Sequence, residues 1–285
     1  MNKILITGVL GNVGKYVAKY LLEKNFEVVL ADINVDEIRK RFGENIDARY
    51  LDFTQSSTFK EALLDVDRVF IVRPPHIGNP KDMKPFINSL HPNQINLISF
   101  LSLIGIEKNP IPPHYKIEKY IEQSGCNYCH IRPSFFMQNI SGIHAFEIKN
   151  LNTIVVPVKK AKTSFIDAED IGELISTVLI NYKEHINKGY SITGPEALDY
   201  YEIAEILSQE LDRTIKYANP KPSFAKMYWI DIRNIDKKYA TVMGLLYMMT
   251  RFGTAKKVTN TFEMIMNKKP TTFKIFARKN EMSWV

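Results

Sequence analysis

The stretch that decides the fold is KILITGVLGNVG, residues 3–14 of a 285-residue chain. Its first five residues have the length of a strand and contain three consecutive apolar residues, and glycine then recurs at every third position, at Gly8, Gly11 and Gly14. The next dozen residues carry apolar side chains at helical spacing, which predicts an amphipathic helix. The order of strand, glycine-rich turn and helix predicts a backbone bend whose N–H groups face a bound diphosphate.

Each glycine of this turn has an expected role. Gly8 permits the tight bend, Gly11 lets the backbone approach a pyrophosphate, and Gly14 allows the helix to pack closely. The pattern therefore predicts a dinucleotide at the head of the first helix. The residues predicted to line this part of the site are Thr7, Gly8, Gly11, Asn12, Val13 and Gly14.

An acidic residue follows the second predicted strand. Asp32 lies 18 residues after Gly14, where a carboxylate accepts hydrogen bonds from the adenosine ribose hydroxyls and repels a 2′-phosphate. This favours NAD over NADP as the cofactor. The alternative is that Arg39, Lys40 or Arg41 folds back to hold a 2′-phosphate while Asp32 turns away.

The rest of the chain predicts an α/β fold, with a doubly wound parallel sheet of the Rossmann type and a smaller, mainly helical C-terminal lobe. Residues 1–150 are predicted to form the dinucleotide-binding domain, with returning elements from about 151–195, and residues 196–285 to form the substrate lobe. The predicted strands of the first domain are Lys3–Thr7, Glu27–Ala31, Ala48–Leu51, Arg68–Val72, Ile95–Leu101 and Tyr128–Arg132.

Loops at the carboxyl ends of these strands are where doubly wound sheets bind ligands. Arg73 and Pro74 close the fourth strand and are expected to shape the wall of the dinucleotide site, although ordinary loop chemistry also accounts for them. Asp52 and Phe53 follow the third strand and are expected to bracket the adenine. Equally, Asp52 has the side chain that starts a turn.

Composition argues against several classes of function. The formal charge is +7, but the lysines are spread in pairs, so nucleic acid is not expected as a partner. No charged leader and no apolar run of bilayer-spanning length is present, so a cytoplasmic protein without a membrane partner is expected. Cys126 and Cys129 form a C-x-x-C pair without a second pair of ligands, so no metal site is expected, and a redox role is left open.

Several stretches occur in one order over most of the chain, among them RVFIVRPP at 68–75, IRPSFFMQN at 131–139 and ITGPEA at 192–197. Together they resemble the NmrA-like group of atypical short-chain dehydrogenases and reductases. The resemblance implies an NAD(P)-binding protein related to quinone and azo-dye reductases, or one that senses redox state without turnover. The chain departs from the group at Asp32, where many relatives have arginine, and it is short of the usual helix between residues 85 and 95.

The resemblance implies two alternative sets of catalytic residues. Standard short-chain dehydrogenases use a serine, a tyrosine and a lysine four residues after the tyrosine, and Ser102, Tyr115 and Lys119 occur in that order. The other alignment places His114 where many relatives have lysine, facing the nicotinamide ribose and the substrate, with Glu118 four residues later. We favour His114.

The leading functional hypothesis is an NAD(P)H-dependent oxidoreductase that passes hydride to a small aromatic or quinone-like acceptor. Pro133 and Phe135, which follow the sixth predicted strand, are expected to cover the nicotinamide. The alternatives are a non-catalytic NAD(P) sensor that acts on a protein partner and, with less support, a sugar-nucleotide epimerase. Homo-oligomerisation is left open.

Overall fold

The computed structural model describes residues 3–285. The chain divides into two compact units: one comprises the residues up to Pro133 together with Ala168–Ile192, and the other comprises Ser134–Asp167 together with Thr193–Val285. Each unit is therefore built from two separate parts of the chain. The described strands are Lys3–Thr7 (β1), Val28–Asp32 (β2), Ala48–Tyr50 (β3), Val66–Val72 (β4), Leu97–Leu101 (β5), Tyr128–Pro133 (β6), Thr153–Ile154 (β7), Thr163–Ser164 (β8), Lys188–Ile192 (β9), Ala197–Leu198 (β10) and Lys216–Tyr217 (β11).

Helices connect these strands, and short 3-10 turns extend several of them. The described α-helices are Gly14–Glu23 (α1), Val35–Phe42 (α2), Phe59–Ala62 (α3), Lys84–Asn88 (α4), Pro113–Gln123 (α5), Gln138–Ser141 (α6), Ala145–Leu151 (α7), Ala168–Ile180 (α8), Tyr200–Glu210 (α9), Pro222–Met227 (α10), Lys237–Arg251 (α11), Thr261–Met266 (α12) and Phe273–Lys279 (α13).

A seven-stranded sheet in the order β3-β2-β1-β4-β5-β6-β9 forms the centre of the first unit. All six strand pairs are parallel, as expected for strands joined by helical crossovers. The strand order reverses direction between β1 and β4, and the carboxyl ends of strands on either side of such a switch point form a ligand-binding crevice. The fold therefore places the glycine-rich turn after β1 at that crevice.

The predicted fold class is confirmed. Each of the six predicted strands is present, with ends that differ by at most two residues from the predicted ones. The region before β5, where the sequence is short of the usual helix, contains only the five-residue α4. The sequence pattern located these elements because buried parallel strands are continuous apolar runs: five of the seven residues of β4 are apolar, and six are buried.

The helix α8 belongs to the first unit, although the segment before it, Ser134–Asp167, belongs to the second. Its residue Gly172 lies against α1, where a Cβ atom would be 2.4 Å from the Tyr16 Cβ and 2.9 Å from the backbone of Tyr16 and Val17. Nothing larger than glycine fits between these two helices without a backbone shift. The close contact explains how a helix far along the chain packs against the first one.

The second unit is mainly helical, as predicted, with two pairs of short strands, β10-β8 and β11-β7. A capping box begins α9: the Asp199 side chain accepts from the backbone of Tyr201 and Glu202, and Glu202 accepts from the Asp199 backbone. Trp229 and Trp284 are buried in the core, and the indole N–H of Trp284 donates to the Ile140 carbonyl at 3.0 Å. Within residues 3–285, no helix has the length and apolar character needed to cross a membrane.

We expect Gly172→Ala to lower the free energy of unfolding by about 1–3 kcal/mol, because the added methyl group overlaps the backbone of α1. Gly244→Ala in α11 is the matched control, since no atom lies within 4 Å of its Cβ position. Removing a glycine from a helix interior without a clash should stabilise the chain by about 0.5–1 kcal/mol. Urea unfolding followed by circular dichroism measures both, and equal effects would contradict the contact between α1 and α8.

Candidate functional site

The turn between β1 and α1 leaves no room for side chains. Gly8 has a φ of +60°, and a Cβ atom at Gly14 would lie 2.3 Å from the Gly8 carbonyl oxygen. The Gly11 N–H donates to the same carbonyl at 3.0 Å, which closes the bend. The backbone N–H groups at the head of a helix, together with the positive end of its dipole, attract an anion. The geometry fits the diphosphate of a dinucleotide.

The other residues of the turn differ in what they offer. Thr7 is fully buried, and its hydroxyl oxygen accepts a hydrogen bond from the Val72 backbone at 3.2 Å, which ties β1 to β4. Val13 is also buried, whereas the side chain of Asn12 is exposed. The side chains of Thr7 and Val13 therefore support the turn, and Asn12 can reach a ligand.

Two charged side chains lie near the predicted ribose position. Asp32, the last residue of β2, is half-buried, and one carboxylate oxygen accepts from the Ile33 N–H at 2.9 Å. Arg41 donates to the Leu10 carbonyl in the glycine-rich turn at 3.4 Å, and its guanidinium lies 3.6 Å from Glu37. Of the three cations considered for a 2′-phosphate, Arg41 is thus in contact with the turn.

The side chains of Asp52 and Phe53, which were expected to bracket the adenine, contact other residues of the first unit. Asp52 accepts hydrogen bonds from the Thr54 backbone and hydroxyl, at 2.8 and 2.7 Å, and from the Gln55 amide at 2.8 Å. The bonds from Thr54 hold the pKa of Asp52 below its usual range. Phe53 is buried, with its ring edge-to-face on Phe86 at 4.9 Å. The structure thus places Asp52 at the start of a turn and Phe53 in the core of the first unit.

Arg73 closes the loop after β4. Its guanidinium donates to the carbonyl of Pro74 at 3.1 Å and to that of Ile77. Its Nε atom is buried without a hydrogen-bond partner among the described residues, and burial lowers the pKa of Arg73. The guanidinium group of Arg73 therefore has one buried hydrogen-bond donor, Nε, that no described residue pairs.

His114 lies in the first turn of α5 and is held neutral. Burial, together with the nearby charge of Arg73, lowers the pKa of His114 to about 3. Its ring centroid is 6.0 Å from that of Phe100 on β5. Its Nδ1 atom is buried without a hydrogen-bond partner in the described part of the chain. Such an unsatisfied nitrogen is available to a ligand.

An ion pair fixes the position of α5. Glu118 is buried and accepts two hydrogen bonds from Arg132 of β6, at 3.0 and 2.8 Å. Burial raises the pKa of Glu118, but the bonds from Arg132 outweigh it, and the pKa lies below its usual range. Sequence reasoning missed Arg132, although an arginine inside the strand YCHIRP was a usable signal.

The serine, tyrosine and lysine of the alternative set are in different environments. Ser102 is buried, and its hydroxyl helps to lower the pKa of the Glu118 carboxyl group through a side-chain hydrogen bond. Tyr115 is half-buried. Lys119 is exposed, donates to Glu122 at 2.6 Å and lies 5.8 Å from the centre of the Tyr115 ring. Its ammonium group is therefore already paired with a carboxylate.

Pro133 and Phe135 belong to different units. Pro133 ends β6, and its carbonyl accepts from the Ile104 N–H at 3.0 Å. Phe135 is half-buried in the second unit, where its ring centroid lies 6.4 Å from that of Tyr247. Its backbone carbonyl accepts from the Ile166 N–H at 2.9 Å.

Two groups of side chains are of the types that bind metals or carry redox chemistry: the two cysteines, and a cluster of two glutamates and a histidine. Cys126 and Cys129 are free and buried, and burial raises the pKa of Cys129 to about 12, so the thiol form dominates. Glu118, Glu122 and His130 have ligand-type atoms within 4.8 Å of one another. The two carboxylates are already bound by Arg132 and Lys119.

Known proteins match the chain over nearly its whole length. Prestalk A differentiation protein A of Dictyostelium discoideum is 32% identical over 281 residues, which cover 97% of this chain and 91% of that protein. The NAD(P)H azoreductase of Xenophilus azovorans is 25% identical, with 96% of each chain covered.

Solved structures share the fold at lower identity. The NADPH-dependent quinone oxidoreductase of Escherichia coli, solved with NADPH, has a TM-score of 0.87 at 18% identity, covering 97% of this chain and 99% of that chain. The triphenylmethane reductase of Citrobacter sp., solved with NADP(H), has a TM-score of 0.85 at 16% identity, covering 98% and 99%.

Two family models match the chain and confirm the resemblance drawn from its motifs. A model described as NAD(P)H-binding matches residues 8–181, which include the glycine-rich turn. A model described as the NmrA-like family matches residues 108–277, more than half of the chain. The chain therefore belongs to the NmrA-like family and contains an NAD(P)H-binding domain of Rossmann type.

Proposed function

We propose that this chain is an NAD(P)H-dependent reductase whose acceptor is a small aromatic or quinone-like molecule. The observation that carries the proposal is the glycine-rich turn, in which Gly8 and Gly14 exclude side chains from the head of α1. Relatives named as an azoreductase and a quinone oxidoreductase support the choice of acceptor class. Both names describe flat, conjugated molecules that accept electrons.

Different residues of the first unit bind the cofactor and the acceptor in this proposal. Backbone N–H groups at the head of α1 bind the diphosphate, and bound NAD(P)H supplies the hydride. The unsatisfied Nδ1 of His114 hydrogen-bonds the ribose or the acceptor, and the partly satisfied guanidinium of Arg73 lends positive charge beside it. A quinone that receives a hydride takes its proton from solvent, so the chain needs no dedicated acid.

For the cofactor we propose a preference for NAD(H), with Asp32 accepting hydrogen bonds from the adenosine ribose. The contact of Arg41 with the Leu10 carbonyl supports some binding of NADP(H) as well, because it brings a guanidinium to the same turn. Asp32 then favours NAD(H), and Arg41 favours NADP(H).

A dinucleotide sensor without turnover is the second candidate. It is favoured by the pairing of Lys119 with Glu122, which takes the lysine away from the role that standard short-chain dehydrogenases give it. The relative named as a differentiation protein is also not named as an enzyme. The two candidates share the cofactor site and differ only in whether a bound acceptor is reduced.

The proposed activity predicts that the purified chain oxidises NAD(P)H in the presence of quinones or azo dyes, followed as loss of the nicotinamide absorbance. A sensor should instead bind one redox state of the cofactor more tightly and reduce no acceptor. Binding of dinucleotide without reduction across a panel of quinones, azo dyes and enones would remove the reductase from consideration.

We expect Asp32→Ala to weaken NAD(H) binding by roughly tenfold to a hundredfold, the value of a hydrogen bond to a charged group. Arg41→Ala should weaken NADP(H) binding by a similar factor and leave NAD(H) binding unchanged. Lys40→Ala on the same helix is the control, because its side chain is 81% exposed and pairs with Glu37 at 4.0 Å. Titration of all four dinucleotides into each variant measures these changes. Unchanged discrimination in Asp32→Ala would show the ribose assignment to be wrong.

The neutral state of His114 predicts a flat pH profile. With a pKa of about 3 in the folded chain, the ring stays uncharged from about pH 5 upward, so kcat/KM should show no inflection near the ordinary histidine pKa of about 6.5. His114→Phe, which keeps the ring but removes the nitrogens, should lower kcat/KM about tenfold or more, and His114→Gln should restore part of it. An inflection between pH 6 and 7 that disappears in His114→Phe would contradict a neutral histidine.

A further inference from the structure

An exposed apolar surface lies on α11 in the second unit. Six large apolar residues of this helix and its C-terminal cap are between 38% and 78% exposed. At 3.6 residues per turn they fall within an arc of roughly 140° and extend for about 20 Å along the helix. We call this surface the α11 face, and it consists of Tyr239, Val242, Leu245, Leu246, Met249 and Phe252.

The other side of α11 holds the helix in this orientation. Ala240, Met243 and Tyr247 are buried in the core of the second unit. The Tyr247 hydroxyl lies 2.5 Å from Nε2 of His144, which is also buried. Because rotation of the helix would break this hydrogen bond and expose these side chains, the α11 face remains on the surface.

The segment of the chain that contains the α11 face, residues 221–257, carries most of the excess positive charge of the chain. Residues 221–257 contain eight lysines and arginines and two aspartates, a formal net charge of +6, whereas the whole chain has +7. Lys237 and Lys238 begin the helix, and Lys256 and Lys257 follow it, all four exposed. Arg233 is paired with Glu147 outside this segment, so the charges that flank the α11 face are those of the four exposed lysines that begin and follow the helix.

This distribution of charge disfavours a second copy of the chain as the occupant. Antiparallel helices would place Lys238 of one copy near Lys256 and Lys257 of the other, and parallel helices would place like ends together. In both arrangements positive charge meets positive charge around an apolar contact, which opposes association. The complementary occupant is an apolar surface with a negatively charged border.

We propose that the α11 face docks on an anionic lipid bilayer, with the apolar side chains in the interfacial region and the lysines at the headgroups. Helices that lie in the bilayer surface combine a broad apolar face with flanking lysine and arginine. Lysine side chains extend to reach the headgroups while their methylene stems stay on the apolar surface. A surface contact of this kind requires no spanning segment, and it does not depend on the proposed reductase activity.

Sedimentation of the full chain with vesicles tests the proposal. Vesicles of phosphatidylcholine with about a third phosphatidylglycerol should bind the chain at least tenfold more tightly than pure phosphatidylcholine, because each basic residue near an anionic surface adds about a factor of five. The difference should shrink as salt rises from low to physiological concentration. Equal binding to both vesicle types, or none to either, would overturn the proposal.

Variants with matched controls separate the apolar and electrostatic parts. Leu245→Glu should lower binding about tenfold or more, whereas Leu64→Glu, at a site of nearly equal exposure (60% against 58%) in the first unit, should not. The double variant Lys256→Gln with Lys257→Gln should lower binding about tenfold or more, and Lys24→Gln with Lys60→Gln should lower it far less. Equal losses in variant and control would mean that net charge alone drives binding and would refute the α11 face as the docking site.

Analytical ultracentrifugation of the same samples distinguishes the other occupants. The chain without lipid should be unaffected in its oligomeric state by Leu245→Glu. A dimer that Leu245→Glu converts to a monomer would assign the α11 face to a second copy. A polyglutamate chain that binds as tightly as the vesicles would assign it to an acidic protein partner. Either result would overturn the membrane proposal.

Discussion

The first unit depends on a backbone contact that only glycine permits. A side chain at Gly14 would lie 2.3 Å from the Gly8 carbonyl oxygen, and one at Gly8 would lie 2.5 Å from a methyl group of Val72. The turn therefore brings the end of β1, the end of β4 and the start of α1 into direct contact. This contact forms the head of the crevice at the point where the strand order reverses. It also leaves N–H groups of the first helical turn facing that crevice, where a diphosphate can accept their hydrogen bonds.

On the other side of the switch point, burial determines the protonation state of His114. The paired charges of Glu118 and Arg132 hold α5 on β6, and removing one partner of a buried pair of this kind costs about 3–5 kcal/mol. With α5 held there, His114 in its first turn is half-buried near Arg73 and is neutral. A neutral imidazole and a partly satisfied guanidinium provide a polar but weakly basic wall. That wall suits an acceptor that needs orientation and charge stabilisation more than it needs a proton from the chain.

Sequence patterns located the strands, the glycine-rich turn and the family, because each of these depends on the spacing of residues that are close together in the sequence. They were less informative about side chains whose role depends on a distant partner. Asp52 and Phe53 follow β3 as expected, yet one starts a turn and the other joins the core with Phe86. Arg132 received no role from the sequence because its partner lies 14 residues earlier in a different element. The excess of positive charge in residues 221–257 can be counted from the sequence, but only the structure shows that this segment presents an exposed apolar face.

The sequence by itself determined the order of strands and helices, the bend that excludes side chains, and membership of the NmrA-like family. These features follow from short-range periodicity and from the conformational freedom of glycine, which need no knowledge of distant residues. Only the tertiary structure decided that His114 is neutral, that Arg41 contacts the glycine-rich turn, and that an apolar face of α11 stays on the surface. Those properties depend on burial and on contacts between residues far apart in the chain, which sequence spacing alone does not specify.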